Sequence, residues 1–358
     1  MTIKSDNYKI LPENPIILAP LAGVSDAAFR LMCEKNGADL TYVEMLSSAA
    51  LIHGNQKTLG MLYRLPEEKN VGVQLTGRNS DEIAKGVSIL GPHGFKTIDI
   101  NMGCPVKKVV KVGCGSALLK DVEGVYQVTR KAVAEASVPL SVKIRLGWDE
   151  NSRNFLEVVD AIEKGGASWV TVHGRTRSQN YSDAVDLEAL RQIKDKINIP
   201  LIGNGNIFSS FDGTHMRKHT GVDGLMVSRG SLGNPWAFDQ IKGLRKEVDL
   251  ETWLTMIKDH IFYHQKIYKT PRVAMVCFRK HLLWYLKGWP YANPLKEKIV
   301  REECFEQVIE QVEEFASELK KRGITRRFYE MNEGQTESKF LWDPKGDICL
   351  EDYKNSKL

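Results

Sequence analysis

The sequence predicts an α/β chain: a (β/α)8 TIM barrel followed by a smaller all-helical C-terminal domain. Three observations carry this expectation. Eight short apolar runs recur over the first 235 residues. Helix-like segments separate most of them, and after about residue 245 the alternation gives way to helical patterns alone. Strands rich in Ile, Val and Leu that alternate with helices imply a parallel sheet covered on both faces. Eight such units over about 220 residues fit a closed barrel. The rival is an open doubly wound sheet, but no Gly-x-Gly-x-x-Gly follows the first strand and the eighth strand completes the count.

The strands, in order, are IILAPLAG from Ile16, LTYVEML from Leu40, VGVQLTG from Val71, TIDINMG from Thr97, PLSVKIRLG from Pro139, SWVTVHG from Ser168, IPLIGNGN from Ile199 and DGLMVSRG from Asp223. The helices between them include SDAAFRLMCEKNGA, NSDEIAKGVSILGPHG, NFLEVVDAIEKGGA and DLEALRQIKDKI. Several begin at Ser, Asn or Asp, which cap helix N-termini, and several end near Gly. The barrel is expected over 10–245, a helical domain over 246–325 and a tail over 326–358.

Bulk properties narrow the classes. The chain has 358 residues, of which 42% are hydrophobic, so global disorder is not expected. A net charge of +5 permits a polyanionic partner without demanding one. Six cysteines, at 33, 104, 114, 277, 304 and 348, include no Cys-x-x-Cys pair, so neither a disulfide framework nor a zinc site is expected. With no apolar leader and no membrane-length apolar run, the expectation is a cytoplasmic protein without a membrane or metal partner, and nothing calls for more than a monomer.

In such a barrel the chemistry belongs at the C-terminal ends of the strands. There the first strand ends in Pro20, Leu21 and Ala22; the third carries Gln74; the fourth ends in Asn101 and Cys104; the fifth carries Lys143 and Arg145. The sixth ends in His173, Arg175 and Arg177, the seventh in Asn204, Gly205 and Asn206, the eighth in Ser228 and Arg229. Polar groups inside apolar strands are costly unless paired or bound to something. A lone Lys143 reads equally as half of a core ion pair or as a ligand contact, and a lone His173 reads as structural. Several strands ending this way favour a site. The glycine-bearing ends of strands seven and eight suit a phosphate, with Arg229 adding charge. Cys104, where a strand gives way to a loop followed by two lysines, is a candidate nucleophile, proton donor, metal ligand or core filler.

Six motifs in order, APLAGVSDAAFR, INMGCPVKK, GCGSALL, VKIRLGWD, VHGRTR and GNGNI, resemble the tRNA-dihydrouridine synthases, and FRKHLLWYLKG resembles the C-terminal domain of their bacterial B-type subfamily. The likeness spans roughly residues 10–325. It implies an FMN enzyme that reduces the C5–C6 bond of uridine in tRNA with NADPH, NADH being the other candidate reductant. The cysteine of the NMGCP motif, here Cys104, then gives a proton to C5 while reduced FMN gives a hydride to C6. By the same resemblance Pro20, Leu21 and Ala22 back the flavin ring, Gln74 meets its pyrimidine edge, Lys143 lies near N1 and O2, and His173 lies near the cofactor. Asn204, Gly205, Asn206, Ser228 and Arg229 match the phosphate-binding ends. Cys114 is incidental, because the motif requires no cysteine there. Two positions depart from the family pattern: Asn206 stands where an acid is usual, and Ser228 where glycine lets the backbone approach. Ribosomal RNA or a small free pyrimidine are the alternative substrates.

The C-terminal region adds a basic surface. Between His264 and Arg301 nine Lys/Arg face one Glu, interleaved with Phe278, Trp284, Tyr285, Trp289 and Tyr291. Charge of this kind gives RNA affinity, and exposed aromatics stack on bases. Arg279 and Lys280 are the favoured contacts. Val276 and Leu283 share the helical sector of Arg272, Arg279, Lys280 and Lys287, so the face is not cleanly basic. Seven Glu over 302–319 read as a solvated helix face.

Overall fold

The computed structural model describes residues 10–245 and 247–328. It divides into two compact units, one formed by residues up to 207 with 212–228, the other by 208–211 with residues from 229 onward.

The first unit is the expected barrel. Eight parallel strands, β1 (Ile16–Leu18), β2 (Thr41–Ser47), β3 (Val71–Thr76), β4 (Ile98–Met102), β5 (Leu140–Arg145), β6 (Trp169–His173), β7 (Leu201–Asn204) and β8 (Gly224–Val227), pair in the order β1-β8-β7-β6-β5-β4-β3-β2. Closure comes from a parallel bridge between Ile17 and Leu40, with Leu18 N donating to Leu40 O at 2.9 Å and Asp39 N to Ile16 O at 2.9 Å. Around them run α1 (Ala27–Lys35), α2 (Ser48–Ile52), α3 (Gln56–Gly60), α4 (Ser80–Leu90), α5 (Lys107–Val110), α6 (Val122–Glu135), α7 (Phe155–Lys164), α8 (Leu187–Lys196) and α9 (Ser210–Thr220). The cap residues behave as their chemistry dictates: Asp26, Asn79, Asp121 and Asp186 each accept from an otherwise orphaned N–H in the first turn, contacts worth about 1 kcal/mol apiece.

Strand alternation creates two different surfaces. Val142, Ile144, Val170 and Val172 are fully buried. Their alternates, Ser141, Lys143 and Arg145 on β5 and Trp169, Thr171 and His173 on β6, lie on the other face, and cross-strand hydrogen bonds place that face inside the barrel. Toward the N-terminal end that interior is apolar: Ile17, Leu40, Tyr42, Trp169, Ile202 and Met226 form one cluster, against which Ile10 and Leu11 pack. Toward the C-terminal end it turns polar. The sequence therefore builds a plugged floor and a hydrogen-bonding mouth.

The second unit holds α10 (Ala237–Ile241), β9 (Glu247–Asp249), α11 (Leu250–Gln265), α12 (Pro271–Leu286), α13 (Asn293–Ile299), α14 (Phe305–Lys321) and β10 (Arg326–Phe328). α11, α12 and α14 match the helices expected from periodicity. Periodicity does not reveal α13, which starts with Pro294 in its first turn, a tolerated helix position, or the antiparallel β9–β10 ribbon. The core of this unit is aromatic: Trp253, Phe278 and Tyr285 are buried, and Trp253 Nε1 donates to Tyr285 O at 3.0 Å. Residues 329–358 of the expected tail lie outside the described residues. Among those described, no helix is long and apolar enough to cross a membrane.

Candidate active site at the barrel mouth

Cys104 sits two residues beyond β4, half-buried, in a loop held from both sides. Asn101 Oδ1 accepts from Gly103 N at 3.1 Å and from Cys104 N at 2.8 Å. On the other side Cys104 O accepts from Ser116 N at 3.1 Å and Ser116 Oγ at 2.9 Å. Gly115, at φ +60°, packs so closely that a Cβ would stand 2.8 Å from Cys104 O, so glycine is required there. Burial pushes the Cys104 thiol up, against the opposing pull of the Val106 N–H and of Arg145 and Lys143. The thiol is therefore protonated at neutral pH, a state that can give a proton and is poorly suited to attack. Cys114 is buried, its Sγ turned toward Val112 O at 4.0 Å.

Lys143 and Asn101 are registered neighbours on β5 and β4. The Lys143 ammonium donates to Asn204 Oδ1 at 3.0 Å, while Asn204 Nδ2 donates to Met226 O at 2.7 Å and Ser228 Oγ at 3.2 Å. The Asn204 side chain thus holds Lys143 and β8 together at the phosphate-type end of strand seven. Lys143 keeps some accessible surface, yet the surrounding protein lowers its pKa to about 8, burial first and the Arg145 charge second. A desolvated cation whose hydrogen-bond partner is neutral is suited to receive an anion.

His173 is nearly buried, and its Nε2 lies 3.0 Å from an Arg175 N–H. Guanidinium only donates, so Nε2 is the acceptor and the ring proton resides on Nδ1. Arg175, fully buried, also donates to Asp183 O, Tyr181 O and Asn206 Oδ1. Burial, then Arg145, lowers its pKa to about 10. Asn206 adopts φ +50°, a left-handed conformation that Asn tolerates. An acid in its place would pair with the same arginine; the amide keeps the bond without adding negative charge.

Gly205 lies at φ +126°, and a Cβ on it would meet Val185 Cγ2 at 2.8 Å and His173 Cδ2 at 3.0 Å. Backbone this bare, next to a histidine, is a cradle for an oxygen-rich group. Ser228 fits where glycine was expected by turning its hydroxyl to accept from Asn204. Arg229 opens the second unit, with its guanidinium 5.5 Å from the Phe208 ring centroid. After β1, the chain folds back at Pro20–Ala22, where Leu21 N donates to Ser25 Oγ at 3.0 Å and Ala22 is exposed. Gln74 is buried with both ends of its amide engaged, Nε2 on Asp99 Oδ2 at 2.7 Å and Oε1 receiving Asn101 Nδ2 at 2.9 Å; one N–H and one lone pair remain for a ligand.

Sequence reasoning missed Asp99, Ser141 and Tyr42, which continue this network, and Trp148, whose ring centroid has Lys120 Nζ at 3.5 Å and the Arg177 guanidinium at 4.3 Å. The available signal for Asp99 was a carboxylate in an otherwise apolar strand. A cleft of about 490 Å³ lies at the opposite, N-terminal end, lined by Leu11, Pro15, Trp169, Ile202 and Val222, away from the polar ends that carry chemistry in this fold.

In the helical unit three of the five interleaved aromatics, Phe278, Tyr285 and Trp289, are core, and Tyr291 is exposed with Arg322 4.5 Å from its ring. The favoured Arg279 is half-buried and donates to Glu302 O at 2.7 Å. Lys266, Lys269 and Arg272 are exposed instead.

The sequence model of the family described as Dihydrouridine synthase (Dus) matches residues 17–322. The chain is 37% identical over 282 residues to tRNA-dihydrouridine synthase B of Pasteurella multocida (strain Pm70), covering 77% of this chain and 85% of that one. It is 34% identical over 302 residues to the protein of the same name from Xanthomonas axonopodis pv. citri (strain 306), covering 83% and 90%. Among solved structures, 6-hydroxypseudooxynicotine amine oxidase from Pseudomonas geniculata N1 superposes with a TM-score of 0.51 at 11% identity, over 64% of this chain and 47% of that one, a likeness of fold alone. With a family match over most of its length, relatives sharing a third of its residues, and a barrel mouth built from the motif residues themselves, the chain belongs to the dihydrouridine synthase family of enzymes.

Proposed function

We propose that this enzyme reduces specific uridines in tRNA to 5,6-dihydrouridine, holding FMN and drawing its reducing equivalents from NADPH in the cytoplasm. The observation that carries the reading is the protonated Cys104 thiol on a pinned loop beside Lys143 and Arg145.

The residues suit the cofactor. Gly205 offers the bare backbone a phosphate needs, and Lys143 offers a desolvated cation without a carboxylate partner. When bound, the flavin supplies a hydride to C6 of the base. Lys143 favours an anionic ring beside it, and His173 presents Nδ1–H as a donor. Cys104 delivers its proton to C5, general acid catalysis worth about 10²–10⁴-fold. Arg145, nearly buried and donating to Thr176 O at 2.6 Å, keeps positive charge near the thiol. Exposed Lys266, Lys269 and Arg272, and the Lys120–Trp148–Arg177 cluster on the barrel, supply phosphate and stacking contacts for RNA.

The test is mass spectrometry of nucleosides from dihydrouridine-free tRNA incubated with purified protein, FMN and NADPH. New dihydrouridine establishes the reaction, and fragment mapping locates the base. Protein that holds FMN and oxidises NADPH yet leaves tRNA unchanged excludes tRNA and points to ribosomal RNA or a free pyrimidine.

A further inference from the structure

A directed chain of hydrogen bonds runs through the barrel interior to the Cys104 loop. Asp99, on β4, is 1% exposed and lies level with Gln74 on β3 and Ser141 on β5. It accepts from Ser141 Oγ at 2.6 Å and from Gln74 Nε2 at 2.7 Å. Tyr42 OH stands 3.4 Å from Ser141 Oγ; because the serine proton is committed to Asp99, the tyrosine is the donor there. Gln74 Oε1 receives Asn101 Nδ2 at 2.9 Å, and Asn101 Oδ1 receives the Gly103 and Cys104 N–H groups.

Two of these links are amides that can turn end for end with almost no change in shape. What fixes their direction is the pair of groups at the ends. Backbone N–H groups at one end only donate. An ionised carboxylate at the other only accepts. With Asp99 in place, Gln74 must present Nε2 to it and Oε1 to Asn101, and Asn101 must then present Oδ1 to the loop. Any other arrangement leaves buried polar atoms unpaired, at a cost of about 1–3 kcal/mol each.

We propose that Asp99 is a positioning residue for the proton donor: through Gln74 and Asn101 it holds the backbone of Gly103 and Cys104 so that the thiol faces the barrel mouth. This rests on the reading of Cys104 as the acid, but the loop geometry is measurable without turnover or cofactor. Asp99 acts through space on Lys143, which in turn acts on the Cys104 thiol, so amide exchange and the Asp99→Asn variant are what separate the hydrogen-bond chain from that electrostatic path.

Hydrogen–deuterium exchange of the cofactor-free protein at the Gly103 and Cys104 amides, read beside kcat and KM, tests it. Asp99→Ala speeds exchange of those two amides by about tenfold and leaves that of β4 itself unchanged. It lowers kcat by about tenfold with little change in KM for RNA. Asp99→Asn, which removes the charge but keeps an oxygen acceptor, recovers most of both; a purely electrostatic role predicts that it behaves like Asp99→Ala. Ser141→Ala, which cuts Asp99's other bond, leaves the loop amides protected. If Asp99→Ala is not recovered folded, Gln74→Leu cuts the chain one link on and exposes the same amides. Unchanged loop amides in Asp99→Ala or Gln74→Leu, or no recovery in Asp99→Asn, overturn the proposal. Retained turnover in Cys104→Ala overturns the reading of the acid and leaves the loop result standing.

Discussion

The Lys143 ammonium rests 3.0 Å from Asn204 Oδ1, so a cation in the barrel interior is held by a neutral amide. A carboxylate there would neutralise it and fill the position an anionic ligand needs. The amide fixes its direction, and the Asp99 carboxylate acts on the ammonium without outweighing the cost of burial. The cost appears as a pKa lowered to about 8, mainly by burial.

That cost has a pH signature. Below about 8 the ammonium is charged in folded and unfolded chains alike and its full desolvation penalty applies. Between about 8 and the ordinary value of 10.5 the folded protein has shed the proton and the unfolded chain has not, so the unfolded state binds more protons and stability rises with pH. Urea denaturation of the cofactor-free protein across this window should show a rising contribution that Lys143→Met lacks. Equal slopes in the two proteins would mean that Lys143 is not desolvated.

Cys104→Ala should lower dihydrouridine formation by about 10²–10⁴-fold while flavin retention and melting temperature stay near those of the parent. Cys114→Ser, whose thiol lies 4.0 Å from the Val112 carbonyl, should keep turnover. Single-turnover assays on both variants decide which cysteine is the acid.

Gly205→Ala should destabilise the fold by about 1–3 kcal/mol, because alanine is strained at this φ and its methyl meets His173 and Val185. It should also weaken FMN binding, read by flavin fluorescence titration. A stable variant with parent affinity would remove Gly205 from the cradle.

Replacing Lys266, Lys269 and Arg272 together with Gln should weaken RNA binding across sequences. It should also flatten the dependence of affinity on salt by about 0.7–0.9 in log–log slope for each phosphate that these side chains neutralise. Arg279→Gln should instead lower unfolding stability by about 1 kcal/mol, because its bond to Glu302 O is removed, with the salt slope unchanged. Filter binding over a salt series separates the two surfaces.

The barrel was legible because its strands announce themselves twice, by apolar runs such as Val71–Thr76 and by capping residues such as Asn79 and Asp121 that start the following helices. That the motif residues would gather at the C-terminal strand ends was legible from motif order. α13 and the β9–β10 ribbon were not, since GWPYANP places a glycine and two prolines where the helical pattern would have to run, and three-residue strands carry too little pattern. Charge on the helix at Arg279 is visible in sequence, whereas the carbonyl it donates to, Glu302 O, comes from a loop 23 residues on that no pattern points to.

By itself the sequence determined the order of the eight barrel strands and the polar residues at their C-terminal ends, a cysteine, a lysine and a histidine among them. These follow from local periodicity and from residue types placed at known offsets. Only the tertiary structure decided what each polar group does. Asn204 became the holder of Lys143, Arg175 fixed the His173 tautomer, and Asp99 became the anchor of a chain that ends at Cys104. Hydrogen bonds have direction, and their partners here come from different strands, so closing the barrel is what sets donor against acceptor.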